Sequence, residues 1–270
     1  EPLSRLLQEI PTIEWVHSRS AGIDFITSPT LSTSNVLVTN AKGSFSSTLA
    51  EYTMMAISYF AKDLPRLMRQ KNDKDWNKYS VKEIRGATLG VIGYGDIGRA
   101  AAKLAKAYGM TVKALRRNPQ NSKDDPFCDD VYVSSRESLN RIMSESDYVL
   151  CAAPLTADTK GLIGQEAFKN AKMDSVFINV GRGPIVDESA LIDALKDGCL
   201  KGAGLDVFAT EPLPIESELW TLDNVLMSPH NMDQTETFQQ EATEFFLEEN
   251  LPRFLRNKNL LNPVDAAAGY

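Results

Sequence analysis

The sequence predicts an α/β protein built on a doubly wound parallel sheet, and three observations predict it. Short apolar runs alternate with helical patterns through the middle of the chain, as they do where crossover helices link parallel strands. A glycine-rich turn, Gly93-Tyr94-Gly95-Asp96-Ile97-Gly98, follows one such run and opens a helix. Polar residues with useful chemistry stand just after the later runs, where an open parallel sheet binds its ligands.

The elements follow in order. Residues 1–45 hold two short strand candidates, Glu14-Trp15-Val16-His17 and Val36-Leu37-Val38, with turn-like Gly22 and Pro29 between them. Two strands are too few for a complete sheet domain. Ser46 to Phe60 carries Leu49, Ala50, Met54, Ile57 and Tyr59 in helical spacing and reads as an interdomain helix that Pro65 should kink or end. Six further strand candidates are Thr88–Ile92, Thr111–Leu115, Tyr148–Ala152, Val176–Asn179, Ala203–Asp206 and Val225–Met227. Between them lie helices such as Ile97 to Tyr108, stopped by Gly109, and Glu188 to Asp197, with Asp187 as cap and Gly198 beyond it. Gln234 to Asn250 reads as a last helix, followed by Pro252 and Pro263 in a polar tail.

Composition narrows the function. A net charge of -7 without a Lys/Arg run opposes binding to nucleic acid or an anionic membrane surface. Cys128, Cys151 and Cys199 fall into no paired spacing, and His17 and His230 are the only histidines. Neither a disulfide framework nor a metal site is expected. No apolar stretch approaches the ~18 residues of a membrane span, and the start has no signal-peptide pattern. The expectation is a soluble cytoplasmic protein, with organelle targeting by an upstream segment left open.

In its strand–turn–helix setting the glycine turn is a Rossmann-type dinucleotide fingerprint. Gly93 allows the tight turn, Gly95 lets backbone amides approach the pyrophosphate, and Gly98 lets the helix pack on its strand. Where an NAD site has a carboxylate for the ribose, this chain has Arg116-Arg117-Asn118. Guanidinium groups suit a 2′-phosphate, so NADP(H) is expected in preference to NAD(H), which stays the alternative.

Arg182, Glu211 and His230 each follow a strand candidate. Hydride chemistry at a 2-oxo acid needs a cation for the carboxylate and carbonyl oxygen, a proton donor, and a carboxylate that orients the donor. Arg, His and Glu are the residue types that supply these roles.

At these residues the chain resembles the D-isomer-specific 2-hydroxyacid dehydrogenases, over essentially its whole length. Asn179-Val180-Gly181-Arg182-Gly183-Pro184-Ile185-Val186-Asp187 is similar to the segment bearing that family's catalytic arginine. Gly204-Leu205-Asp206-Val207-Phe208 through Glu211-Pro212 resembles its glutamate segment, and Ser228-Pro229-His230 its histidine segment. The resemblance implies catalytic Arg182, Glu211 and His230. It also implies a cofactor cleft lined by Pro154-Leu155-Thr156, Thr159, Val180, Gly181, Arg182 and His230, with Asp206 on the nicotinamide carboxamide. Ser18-Arg19-Ser20-Ala21-Gly22-Ile23-Asp24 resembles the substrate loop, which implies that the Ala21 and Gly22 amides receive a carboxylate beside Arg182 and His230.

By the same resemblance, residues 79–232 form the dinucleotide-binding domain. Residues 1–78 with 233–270 form a smaller flavodoxin-like substrate domain. That domain is expected to be incomplete here, because family members begin with roughly 40–60 more residues and a smaller unit buries too little core. The family also implies a homodimer and a small 2-oxo or 2-hydroxy acid substrate, with glyoxylate or hydroxypyruvate leading. Asn231-Met232-Asp233 depart from the small residues usual after the histidine. The rival reading is a dinucleotide-sensing, corepressor-like regulator with little turnover.

Overall fold

Nine strands form two separate parallel sheets among the residues described by the computed structural model, which are 2–23, 25, 26 and 28–266. The chain runs α1 (Pro2–Glu9), β1 (Trp15–Ser18), α2 (Pro29–Ser32), β2 (Leu37–Asn40), α3 (Ser46–Ala61) and α4 (Leu64–Asp73). It continues through β3 (Thr88–Ile92), α5 (Asp96–Ala107), β4 (Thr111–Arg116), β5 (Asp130–Val133), α6 (Arg136–Glu145) and β6 (Tyr148–Cys151). Then come α7 (Gln165–Lys169), β7 (Val176–Asn179), α8 (Glu188–Lys196), β8 (Gly202–Leu205), β9 (Val225–Met227), α9 (Phe238–Glu244) and α10 (Leu251–Leu255).

The large sheet has the order β5-β4-β3-β6-β7-β8-β9. The chain first winds outward from β3 to β5, then crosses back to lay β6 beside β3, with Ile92 opposite Cys151. The crevice of a doubly wound sheet opens at this reversal. Both sheet faces are buried. Leu89, Val91, Leu150 and Ile178 pack with α3 and α5, while Ile92, Val149, Cys151 and Phe177 pack with α6, α7 and α8. Burial on two sides explains why these strands read as continuous apolar runs. Ala101, Ala102 and Ala105 are fully buried on α5, and their small size lets α3 and the sheet approach closely.

The small sheet pairs β1 with β2 in parallel, from Trp15 opposite Leu37 to Ser18 opposite Asn40. The chain end returns to it, the Val264 amide donating to the Val38 carbonyl at 2.9 Å. Trp15 stacks on Phe246 and Phe254 at centroid distances of 5.2 and 5.0 Å. Among the described residues no helix is long and apolar enough to cross a membrane.

Three features differ from the sequence-based expectation. Pro65 ends no helix but opens α4, where its missing N–H costs nothing. The last helix starts at Phe238 rather than Gln234, and its path continues through Pro252. A π-helical turn over Phe245–Asn250 precedes that proline, and the shifted register relieves the carbonyl that a proline ring would strike. Asn250, fully buried, closes the turn by accepting from the Leu261 amide at 2.7 Å and donating to its carbonyl at 3.0 Å. Finally, Asp130–Val133 is a strand that no apolar run announced.

Candidate active site

The glycine-rich loop between β3 and α5 sits at the topological reversal. Gly93 has φ 93°, and a Cβ there would lie 2.5 Å from the Ala153 backbone, so only glycine lets the β3 and β6 loops touch. The Gly93 amide donates to the Leu115 carbonyl at 3.1 Å, tying the loop to the end of β4. Gly95 is extended and gives α5 no side-chain cap. No atom lies within 4 Å of a Cβ built on it. An uncapped helix N-terminus facing open space fits a pyrophosphate. Asp96 opens α5, Ile97 follows it, and Gly98 packs so tightly that a Cβ would meet the Gly93 carbonyl at 2.6 Å. Tyr94 is 2% exposed, with burial raising the pKa of its phenol, so the ring belongs to the core and the backbone to the loop.

Arg116 ends β4 half-buried and hydrogen-bonded to Ser122, with Arg117 and Asn118 exposed beyond it. After β6, Thr159 Oγ1 donates to the Pro154 carbonyl at 2.7 Å and accepts from the Thr156 amide at 2.8 Å. Pro154, Leu155 and Thr159 thereby form one knitted turn. After β7, buried Val180 leads to Gly181, whose amide donates to Asn179 Oδ1 at 3.1 Å. The Arg182 guanidinium donates to the Gly181 carbonyl at 2.8 Å. A Cβ on Gly183 would fall 1.8 Å from the Phe208 carbonyl oxygen, so the arginine segment rests directly against the glutamate segment.

Asp206, at the end of β8, is 2% exposed. Its Oδ1 accepts from Ser228 Oγ at 2.8 Å, the Asn231 amide at 3.1 Å and the Met232 amide at 3.4 Å. Burial raises its pKa, opposed first by the Ser228 bond. The carboxylate therefore gathers both sides of His230, which stands at φ 50°, a conformation a non-glycine residue keeps only when its surroundings enforce it. Glu211 Oε1 accepts from the Phe208 amide at 2.9 Å, and Oε2 lies 2.7 Å from His230 Nδ1. The His230 and Glu211 side chains keep 37% and 35% exposure, enough for a small molecule to reach the ring.

In the loop after β1, Ala21 and Gly22 are half-buried, and the Ala21 carbonyl accepts from Asn40 Nδ2 at 2.5 Å. Arg19 hydrogen-bonds Gln239. Asp24, the last residue of that loop motif, lies outside the described residues. The structure thus joins His230 to Glu211 directly and sets Arg182 on the neighbouring strand end. Sequence reasoning missed Asn40 and Lys42, although both follow an apolar run, and Tyr52 of α3, whose phenol burial pushes up to about 12 beside Ser228 and Asp206. Among the described residues no group of three or more His, Cys, Asp or Glu side chains could hold a metal ion.

Residues 54–231 match the family model described as D-isomer specific 2-hydroxyacid dehydrogenase, NAD binding domain. The chain is 33% identical over 231 residues to glyoxylate/hydroxypyruvate reductase B of Enterobacter sp. (strain 638), covering 83% of this chain and 70% of that protein. It is 31% identical over 262 residues to D-3-phosphoglycerate dehydrogenase of Methanocaldococcus jannaschii, covering 96% of this chain but 49% of that protein. Among solved structures, a D-isomer specific 2-hydroxyacid dehydrogenase from Xanthobacter autotrophicus Py2, in complex with NADPH and MES, superposes with a TM-score of 0.88. It is 32% identical, over 98% of this chain and 81% of that one.

Proposed function

The chain belongs to the D-isomer-specific 2-hydroxyacid dehydrogenases, and from that premise we propose that it reduces a small 2-oxo acid, glyoxylate or hydroxypyruvate, with NADPH. The observation that carries this reading is the 2.7 Å contact between Glu211 and His230 Nδ1 at the carboxyl end of the sheet. It leaves Nε2 as the ring nitrogen that can serve a substrate.

The division of labour follows from residue chemistry. Arg182 holds the substrate carboxylate and polarises the carbonyl, with the Ala21 and Gly22 amides receiving the same carboxylate. His230 gives the Nε2 proton to the carbonyl oxygen, and Glu211 fixes the ring and complements the charge of the imidazolium. When bound, the dinucleotide supplies the hydride for the carbonyl carbon. Asp206 holds the His230 segment and would take the nicotinamide carboxamide of a bound dinucleotide, while Pro154, Leu155, Thr159, Val180 and Gly181 would line its cleft. Residues 79–232 act as the dinucleotide-binding domain, and residues 1–78 with 233–270 as the substrate domain. A homodimer goes with the family reading, and the exposed neighbours Leu67 and Met68 of α4 would suit its contact face.

The NADP preference rests on Arg116 and Arg117. Replacing both with serine is expected to lower kcat/KM for NADPH by about 10- to 100-fold, the scale of losing one or two charge-assisted phosphate contacts. NADH, lacking the 2′-phosphate, should change by less than about 3-fold on the same grounds. Steady-state kinetics with hydroxypyruvate measures both ratios. Equal losses with the two cofactors overturn the 2′-phosphate assignment, and a wild-type protein that consumes neither overturns the reductase.

A further inference from the structure

Lys42 Nζ lies 3.6 Å from Asp96 Oδ2, with both side chains about half exposed. The pair links the loop after β2 to the first residue of α5, the helix whose N-terminus faces the pyrophosphate position. Taken alone it would contribute little, as surface ion pairs do. What sets it apart is how firmly the Lys42 backbone is held. Its amide donates to Asn40 Oδ1 at 3.1 Å, and its carbonyl accepts from Asn262 Nδ2 at 2.8 Å.

Asn40 is only 4% exposed, and the other end of its amide points the opposite way, Nδ2 donating to the Ala21 carbonyl at 2.5 Å. The Ala21 carbonyl and the Gly22 N–H belong to one trans peptide plane and point in opposite directions. Fixing that carbonyl therefore aims the Gly22 amide, one of the two groups read above as receiving the substrate carboxylate. Asp96, Lys42, Asn40 and Ala21 form a continuous line of polar contacts from the dinucleotide loop to the substrate loop.

Asp96 occupies the positive end of the α5 dipole, which is also where a pyrophosphate would bind, and two anions compete for that end. Lys42 is a cation already paired with Asp96 at that end. We infer that Lys42 and Asn40 are positioning residues that couple occupancy of the dinucleotide loop to the alignment of the Gly22 amide. With a pyrophosphate in the loop Lys42 would divide its charge between that anion and Asp96, and the changed pull on its segment would reach the Ala21 carbonyl through the Lys42 amide and Asn40. The inference rests on the reading of Ala21–Gly22 as the carboxylate site and of Gly93–Gly98 as the pyrophosphate site.

The test is calorimetric titration of oxamate, a 2-oxo acid mimic that cannot be reduced, into the protein with and without saturating NADPH. Coupling between such sites is commonly about 5- to 150-fold in affinity, and the wild type is expected to bind oxamate at least about 10-fold more tightly with NADPH present. Lys42→Met should cut that ratio to below about 2-fold while leaving oxamate affinity without NADPH unchanged. Asp96→Asn, which removes both the competing carboxylate and the resting partner of Lys42, should tighten NADPH binding and lower the ratio toward that of Lys42→Met. A Lys42→Met protein with the wild-type ratio overturns the coupling, as does one that binds oxamate more weakly by the same factor with and without NADPH. A wild type that binds NADPH but no oxamate in either state overturns the substrate-loop reading itself, and the coupling with it.

Discussion

His230→Ala is expected to lower kcat for hydroxypyruvate reduction by about 100- to 10,000-fold, the range a positioned general acid contributes. The proton for the carbonyl oxygen has no second donor in this account, since Glu211 is turned toward Nδ1 and toward the Phe208 amide. NADPH affinity should change by less than about 10-fold, because the proposed binding mode puts the charged contacts on the loop amides and Arg116–Arg117. Steady-state kinetics and cofactor fluorescence read the two quantities separately. Glu211→Gln should lose less, because an amide keeps the hydrogen bond but not the charge. A His230→Ala protein whose kcat stays within about 3-fold of wild type would remove histidine from the chemistry.

Gly183→Ala is the second large effect, and it acts on the fold. The added methyl would fall 1.8 Å from the Phe208 carbonyl oxygen, 1.9 Å from its carbon and 2.4 Å from the Ala209 nitrogen. All three are backbone atoms, so no side-chain rotation relieves the clash. Either the Arg182 segment or the Glu211 segment must move. The expected cost is about 4 kcal/mol or more, at the extreme of single substitutions, against total stabilities of about 5–15 kcal/mol for a domain. Thermal unfolding should show a large fall in Tm, and any folded remainder should be catalytically poor because Arg182 and Glu211 no longer share a wall. Gly95→Ala is the matching control, as nothing lies within 4 Å of its added methyl, and its damage should appear in NADPH affinity rather than in Tm.

The parts of the fold that were legible are those whose physics is local. Strands buried on both faces must be apolar at successive positions, so β3, β4, β6, β7 and β8 announced themselves. β5 did not, because Asp130 and Val133 are exposed at the sheet edge and Asp130-Val131-Tyr132-Val133 is too short and mixed to stand out. The helical course through Pro252 was hidden because a proline is read as a stop unless a π turn rearranges the carbonyls before it. At the site, Arg182, Glu211 and His230 were visible because ligands gather at strand ends. Asn40 ends β2 and Lys42 follows it. Their meaning depends on contacts with Asp96 and with Asn262, 222 residues from Asn40, which no local pattern contains. The packing of Gly183 on Phe208 is equally non-local, a meeting of two loops from adjacent strands.

The most direct test of the proposed reduction is the product itself. Wild-type protein is incubated with NADPH and hydroxypyruvate, NADPH loss is followed by absorbance, and glycerate is resolved by chiral chromatography. One D-glycerate should form for each NADPH consumed, with both lost together in His230→Ala. Tight NADPH binding with no glycerate, or glycerate of the L configuration, would contradict this reading; the first outcome would make the protein a dinucleotide sensor.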